Sequence, residues 1–540
     1  MEGDSTVLQF LGKWSQKIYE ERDLVQMYLH IFAAALFPIY IGSHASLRRP
    51  PSAQSPKKAI RSRNQDEDDD DIHVEEATVE GLTPSDAIMF PVLAGCTLGG
   101  LYLIIKWLED PALLNKILGY YFSALGIFGV GKLVGDGLNV LTTFIFPDLW
   151  SYGNQTYHVD PLLSQQLTGG VKPGRVQVHR KFVADKMTPL PGYLSTIKFS
   201  EKNTQRLWAL RALLKNHWIF RGYVHGILSM KGKVQLNDVI GLMIGFFAVV
   251  LYNTLGKTWW LTNLLGFGFC YGTLQLMSPT TFWTGSLVLA GLFIYDITMV
   301  FYTPLMVTVA TSLDVPIKLV FPGKKGGMLG LGDVVLPGIM IALALRFDLY
   351  LHYLRKRTSP TPIVLNPDSS LTSATPPKIT KALYKSATGN WGERFWTMSA
   401  TPEDKASVGS RFPRVYFNAA LVGYVAGMVA TLVVLNIFNH AQPALLYLVP
   451  GVLIALWSTA AARGELNLMW NYTEDGSLDD GAEEKGEKKG GREEKKEVGT
   501  PEVLKTEKDA KEKAKRKSDE AHHVLLFSLS SPKSAKTALE

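Results

Sequence analysis

The chain has 540 residues, 46% of them hydrophobic and 19% charged, with a formal net charge of +7 and two cysteines. A mean hydropathy of +0.07 averages two unlike populations, long apolar runs and strongly polar connectors, which describes a polytopic membrane protein rather than a soluble one. The positive charge lies mostly in connectors and tail, where it carries topology information and a weak attraction to anionic lipid, so nucleic acid is not an expected partner. Cys96 and Cys270 both fall inside apolar runs, which excludes a disulfide framework or a zinc set, and no metal-ligand motif occurs, so no cofactor is expected.

Residues 1–23 are polar and amphipathic, and the apolar run at 24–41 predicts a first span, retained because no small-residue cleavage pattern accompanies it. The loop 46–80 carries Arg48 and Arg49 and then the acidic block 66–71, a composition that predicts disorder. Spans two and three follow at 87–105 and 116–146. Asp136 lies in the third, but Lys132 stands four residues earlier on the same helical face, which points to an internal ion pair rather than to chemistry.

The connector 147–237 is long, basic and rich in Pro and Gly, with a helical stretch at 204–220 suited either to a membrane surface or to a packed face. From 238 to 347 the spans crowd together: 239–255, 260–277, 284–310 and 328–347. A Pro-rich and Ser/Thr-rich connector at 348–414 reads as irregular, and two further spans stand at 415–438 and 444–462 within the segment 415–463. The remainder, 464–540, alternates Lys and Glu blocks and predicts a disordered tail; no independent soluble domain is expected.

The two runs at 284–310 and 328–347 each hold one acid, Asp296 and Asp333. A carboxylate at that depth costs about 2.5–3.5 kcal/mol on insertion scales and so faces a protein interior or a wet cavity. Two such acids in successive spans suggest a shared site in which one carboxyl keeps a proton while the other draws one from water, the division of labour of an aspartic protease. From the charges alone, a proton-coupled transporter or ion-leak channel is the alternative, and a noncatalytic adaptor for membrane-protein degradation is a third reading.

Lys and Arg cluster in the connectors after spans one, three and seven and in the tail. With nine spans this places the amino terminus on the lumenal side and the carboxyl terminus in the cytosol. The sequons at Asn154 and Asn471 would then lie in the cytosol, unglycosylated.

Tyr295-Asp296, Gly330-Leu331-Gly332-Asp333 and Gln442-Pro443-Ala444-Leu445 occur in that order, each inside or beside an apolar span. Together they resemble the signal peptide peptidase family of intramembrane aspartyl proteases, relatives of presenilin. The resemblance implies an all-α polytopic membrane protein of about nine transmembrane helices with a presenilin-like fold. It implies an aspartic endopeptidase that cleaves signal-peptide remnants and other type II-oriented transmembrane segments, with Asp296 and Asp333 as the catalytic pair. Tyr295, Gly330, Leu331, Gly332, Gln442, Pro443, Ala444 and Leu445 would bind substrate or shape the site, and the extended-looking segment 317–321 would pair with unwound peptide. The endoplasmic reticulum membrane is the expected location, although the chain ends at 537–540 without the lysine signal that often retrieves such proteins. Partners open to it are transmembrane peptides, the lipid bilayer, membrane-protein degradation machinery and further copies of itself.

Overall fold

The nine apolar runs are helical, since a backbone in lipid can satisfy its own N–H and C=O groups only by such pairing or by closing a barrel. The run expected at 284–310, however, breaks after Phe301 into a long and a short helix, and the run at 328–347 begins as a strand up to Gly330. The computed structural model describes residues 22–54, 80–108, 112–153, 155–161, 163–168, 181–182, 186–224, 228–313, 315–322, 327–356, 381–401, 405, 408–438, 442–474 and 525–530. The chain opens with α1 (Arg22–Ala45), β1 (Glu80–Leu82), α2 (Pro84–Leu108) and α3 (Ala112–Ile145). A polar region follows, with β2 (Leu149–Tyr152), β3 (Gln155–Asp160), β4 (Gln165–Thr168), β5 (Lys181–Phe182), α4 (Glu201–Lys215), β6 (Trp218–Val224) and β7 (Leu228–Val234). Next come α5 (Leu236–Thr254), α6 (Trp259–Leu276), β8 (Met277–Pro279), α7 (Phe282–Phe301), the short α8 (Leu305–Ser312), β9 (Lys318–Phe321), β10 (Gly327–Gly330) and α9 (Leu331–Arg355). The last elements are α10 (Trp391–Trp396), α11 (Val415–Phe438), α12 (Leu445–Ala462), α13 (Leu466–Trp470) and β11 (Leu525–Ser530).

Among the described residues, eight helices are long and apolar enough to cross a membrane. The ninth run is α6, an 18-residue helix that carries Thr262 and Asn263 and packs against α1, α3 and α9 inside the bundle. The centre is α9. Its sequence is apolar on nearly every side, and a helix of that kind is stable only when surrounded. Accordingly 94% of its most apolar stretch is buried, against at most 33% in the other seven of these eight helices.

Two charged residues of α9 hold neighbours in place. Asp348, buried, accepts the backbone N–H groups of Tyr416 at 3.2 Å and Phe417 at 2.9 Å, satisfying amides that the first turn of α11 would otherwise leave unpaired. Arg346, also buried, donates to Ser278 Oγ at 2.6 Å and pairs with Glu474 at 3.1 Å, so the segment beyond α13 is tied to the centre of the bundle. On the far side, α11 and α12 meet at Gly427, where a Cβ would lie 2.6 Å from the carbonyl oxygen of Tyr447. That close approach fixes where α12 begins.

The connector 147–237 corrects the expectation of a loop without a soluble domain. Strands β2, β3, β4 and β5 form an antiparallel sheet in that order, and α4 and α10 pack against it. Its core is small and aromatic: Trp150 stacks on Tyr157 with ring centroids 4.4 Å apart, and the Lys186 ammonium lies 3.6 Å from the Tyr157 centroid. The helix at 201–215 is tied to this sheet and its connections: Trp208 packs on the Trp150 cluster and its Nε1 donates to Met187 O at 2.9 Å, and Arg211 and Lys215 both bind Asp148. Gly392 and Trp396 of α10 fasten the cap to the end of α3 through Thr143 Oγ1 at 3.0 Å and Phe144 O at 2.9 Å.

Within this cap, burial and the neighbouring Asp148 push the Glu393 carboxyl up to about 7. Its folded value lies above its ordinary one, so the proton it keeps stabilises the cap fully below about pH 4.5, and that contribution is lost as pH rises through about 7. We expect amide exchange in the cap to quicken over that window, and Glu393→Gln to flatten the dependence; an unchanged slope in the variant would refute the assignment.

A second correction concerns the tail. Residues 525–530, placed by the sequence in a disordered segment, form β11, which pairs antiparallel with β6, itself paired with β7. The run LLFSLS is apolar enough to lie along the aromatic β6, with Phe527 and Phe220 centroids 6.1 Å apart. The amino-terminal stretch 1–21, the acidic block 66–71, Asn154 and the charged stretch 475–524 lie outside the described residues.

Candidate active site

Asp333 stands in the first turn of α9, two residues beyond the helix start at Leu331. Gly330 is the residue that caps this helix, and Asp333 is the third residue within it. A carboxylate here also meets the positive end of the helix dipole. Gly330 has ordinary extended angles, φ −64° and ψ 140°, so the glycine is not needed for conformation. What it supplies is room: a Cβ would lie 3.3 Å from Asp333 Oδ2. Gly332 is exposed, and a Cβ there would meet only Leu336, at 4.0 Å, so neither glycine serves helix-to-helix packing.

Asp296 is 3% exposed and lies in the second half of α7, which packs on α9. Its Oδ2 accepts the backbone N–H of Leu445 at 3.1 Å. That amide is free because Leu445 is the first residue of α12, and the first four N–H groups of a helix have no partner within it. The QPAL segment thus has a concrete task. Pro443 is buried, Ala444 caps α12, and the helix is started where its first amide reaches Asp296. Gln442 is half-buried at the edge of this turn. The helix that carries Asp296 packs on the one that carries Asp333.

Beside the pair lies the hairpin of β9 and β10, antiparallel, with Gly330 opposite Lys318 and Gly327 opposite Phe321. Leu319 and Phe321 are buried, and Leu331 N–H donates to Ile317 O at 3.1 Å, joining the hairpin to the start of α9. Leu331 itself is buried against α6, where both it and Leu319 crowd Gly266.

Tyr295 does not join the acids. Its ring lies toward α2, near Gly95, and its hydroxyl makes only a long 3.5 Å contact with Ala94 O, so it packs α7 on α2. Asp136 is accounted for as the sequence expects: it pairs with Lys132 at 2.9 Å and accepts from Tyr271 at 2.7 Å, away from the site.

Two residues were not legible in advance. Tyr424 of α11, fully buried, donates to the backbone carbonyl of Asp333 at 3.3 Å. Asn263 of α6 donates to Val320 O at 2.9 Å and accepts from Val320 N at 2.7 Å, so its carboxamide takes the place of a neighbouring strand along the outer side of β9. A polar residue amid the apolar run of α6 was the only signal for Asn263, and its partner lies 57 residues away.

A bundle of membrane-crossing helices that packs α7, with Asp296, on α9, with Asp333, beside a short hairpin suits hydrolysis of a peptide within a bilayer, and the chain is an intramembrane aspartic protease. The family model for signal peptide peptidase matches residues 74–476, and the chain belongs to that family. It is 28% identical over 464 residues to the signal peptide peptidase of Homo sapiens, covering 84% of this chain and 85% of that protein. It is 30% identical over 413 residues to the signal peptide peptidase of Mus musculus, covering 75% and 77%. A probable intramembrane protease of Saccharomyces cerevisiae is 25% identical over 504 residues, covering 85% and 75%. The transporter, channel and adaptor alternatives are not favoured.

Proposed function

We propose that Asp296 and Asp333 are the catalytic pair: one activates a water for attack on the scissile carbonyl, and the other protonates that carbonyl's oxygen. What supports this is the packing of α7, which bears Asp296, on α9, which bears Asp333 in its first turn beside the hairpin, with Asp296 held by the first amide of α12. The pair titrates as a unit, and its two roles are properties of the pair. Exposed Gly332 and partly exposed Asp333 leave the approach open on the hairpin side.

A helical substrate must unwind before its carbonyls can be attacked. The strand expected to receive it was 317–321, but both sides of β9 are engaged, one by β10 and the other, at Val320, by Asn263. Among the described residues β10 pairs only with β9, so its outer edge is where an unwound peptide adds as a third strand, directly before Asp333. Replacing Asn263 by Leu leaves the Val320 N–H and C=O unpaired, at about 1–3 kcal/mol for each buried group. We expect cleavage to fall about tenfold as the hairpin loosens, which corresponds to ~1.4 kcal/mol in the barrier. Kinetics on a synthetic peptide alongside an unfolding midpoint will check this, and an unchanged rate would show that the clamp is not used.

The substrates are signal-peptide remnants and other type II-oriented membrane anchors, and the protein resides in the endoplasmic reticulum membrane. Names of the relatives support both, and the Lys and Arg bias supports a lumenal amino terminus and a cytosolic tail. The deciding experiment incubates purified protein with a synthetic signal peptide and compares the wild type with Asp296→Asn. Cleavage blocked by a hydroxyl-bearing transition-state mimic is the supporting result; cleavage that persists in the variant overturns the assignment.

A further inference from the structure

Away from the acid pair, a cavity of about 1040 Å³ opens at the end of the bundle beneath the soluble cap, at the top of the size range of ligand pockets, about 300–1,000 Å³. Its floor is α6, through Tyr271 and Gln275; its walls are the carboxyl-terminal halves of α1 and α3; its roof is α4 and Trp391. The walls both pack on α6 rather than extensively on each other, so a groove runs between them toward the lipid-facing side, lined by Phe37, Ile41 and Leu133, with Phe37 48% exposed.

The polar end of this cavity is unfinished. Three buried side-chain atoms in its lining have no hydrogen-bond partner: Arg211 Nε, His44 Nε2 and Gln275 Nε2. Buried polar groups are nearly always paired, so three orphans around one space point to a missing molecule. Arg211 and His44 are 3% and 5% exposed. His44 Nδ1 must donate, because its partner is the carbonyl of Tyr40 at 2.7 Å, so in the neutral ring Nε2 offers a lone pair. Gln275 Nε2 offers a donor. The lining carries three cations, Lys132, Arg211 and Lys215, against two carboxylates, Asp136 and Asp148, a balance of +1.

We propose that this cavity binds one phosphatidylinositol-type lipid, its phosphodiester beneath Arg211 and Lys215, its ring hydroxyls between His44 and Gln275, and its acyl chains in the groove between α1 and α3. A phosphodiester supplies the single negative charge that the lining lacks. A hydroxyl both donates and accepts, which is what an open His lone pair and an open amide N–H together require. The basic connectors that begin with Arg48 and Arg49 after α1 and with Arg355 after α9 leave the bundle at the same end, where Ser52 Oγ donates to Tyr350 O at 2.9 Å, and their charge attracts anionic lipid to that face.

The test is native mass spectrometry of the full-length protein, stripped of lipid in detergent and titrated with dioleoyl phosphatidylinositol, dioleoyl phosphatidylserine or dioleoyl phosphatidylcholine. Phosphatidylinositol is expected to bind at least tenfold tighter than phosphatidylcholine and severalfold tighter than phosphatidylserine. Arg211→Gln with Lys215→Gln should remove most of that preference, and Leu133→Trp, which fills the groove without touching an ion pair, should lower binding of all three lipids about tenfold. Equal binding of the three would overturn the proposal. So would displacement by millimolar inorganic phosphate, which would mark a free-anion site, or by a synthetic signal peptide, which would mark a substrate path.

Discussion

Replacing Asp296 by Asn is expected to lower peptide cleavage about a thousandfold, within the 10²–10⁴ range that general acid–base groups contribute, while leaving the fold intact. The amide is nearly the same size as the carboxyl, and its oxygen can still accept the Leu445 N–H that the wild type accepts at 3.1 Å, so α12 still starts in register. What is lost is the ionisable proton that the proposed mechanism uses. Asp333→Asn should do the same, and the double variant should be little worse than either single one, because residues that act as a unit are not additive. Turnover of a synthetic signal peptide, read beside the thermal midpoint in detergent, separates loss of chemistry from loss of structure. More than a tenth of wild-type activity in either variant would remove these acids from the mechanism.

The largest effect on stability is expected at Arg346. Its guanidinium is 5% exposed and pairs at 3.1 Å with Glu474, whose side chain is 18% exposed. Ser278 Oγ completes the cluster by donating to Glu474 and accepting from Arg346. Removing one partner of such a pair strands the other charge, at about 3–5 kcal/mol. Arg346→Met should therefore lower the unfolding free energy by that amount, and Arg346→Met combined with Glu474→Gln should recover much of it, since the cost lies in the unpaired carboxylate. Equal instability of the double variant would show that packing around α9, rather than charge, carries the effect.

How far the sequence could be read depended on what each part rests on. The helical runs were legible because hydropathy over some twenty residues is a strong local signal, though not the break after Phe301, and Asp296 and Asp333 stood out because charge inside an apolar run is rare. The roles of QPAL and GLGD were named by resemblance, yet their physical content appears only in three dimensions: a helix-start amide at Leu445 that reaches Asp296, and at Gly330 the missing Cβ that would crowd Asp333 Oδ2. Tyr295 points toward α2 instead of the acids, something spacing along a helix cannot decide when both flanks are protein. Asp348 shows the same limit from the other side. It is the second acid on α9, buried, and only its contacts with the α11 amides reveal it as a cap. The soluble cap escaped notice because its strands are two to six residues long and its core rests on Trp150, Tyr157 and Lys186 rather than on an alternating aliphatic pattern.

Strand β11 has a practical consequence for handling this protein. It lies past the long charged stretch and supplies β6 with its outer neighbour. A preparation clipped or shortened anywhere before Leu525 leaves that edge bare, with a ladder of unmatched amides beside Trp218 and Phe220. Trimming the tail to improve behaviour would thus invite the particles to stick edgewise, and a purification handle belongs beyond Ser530 or at the other terminus.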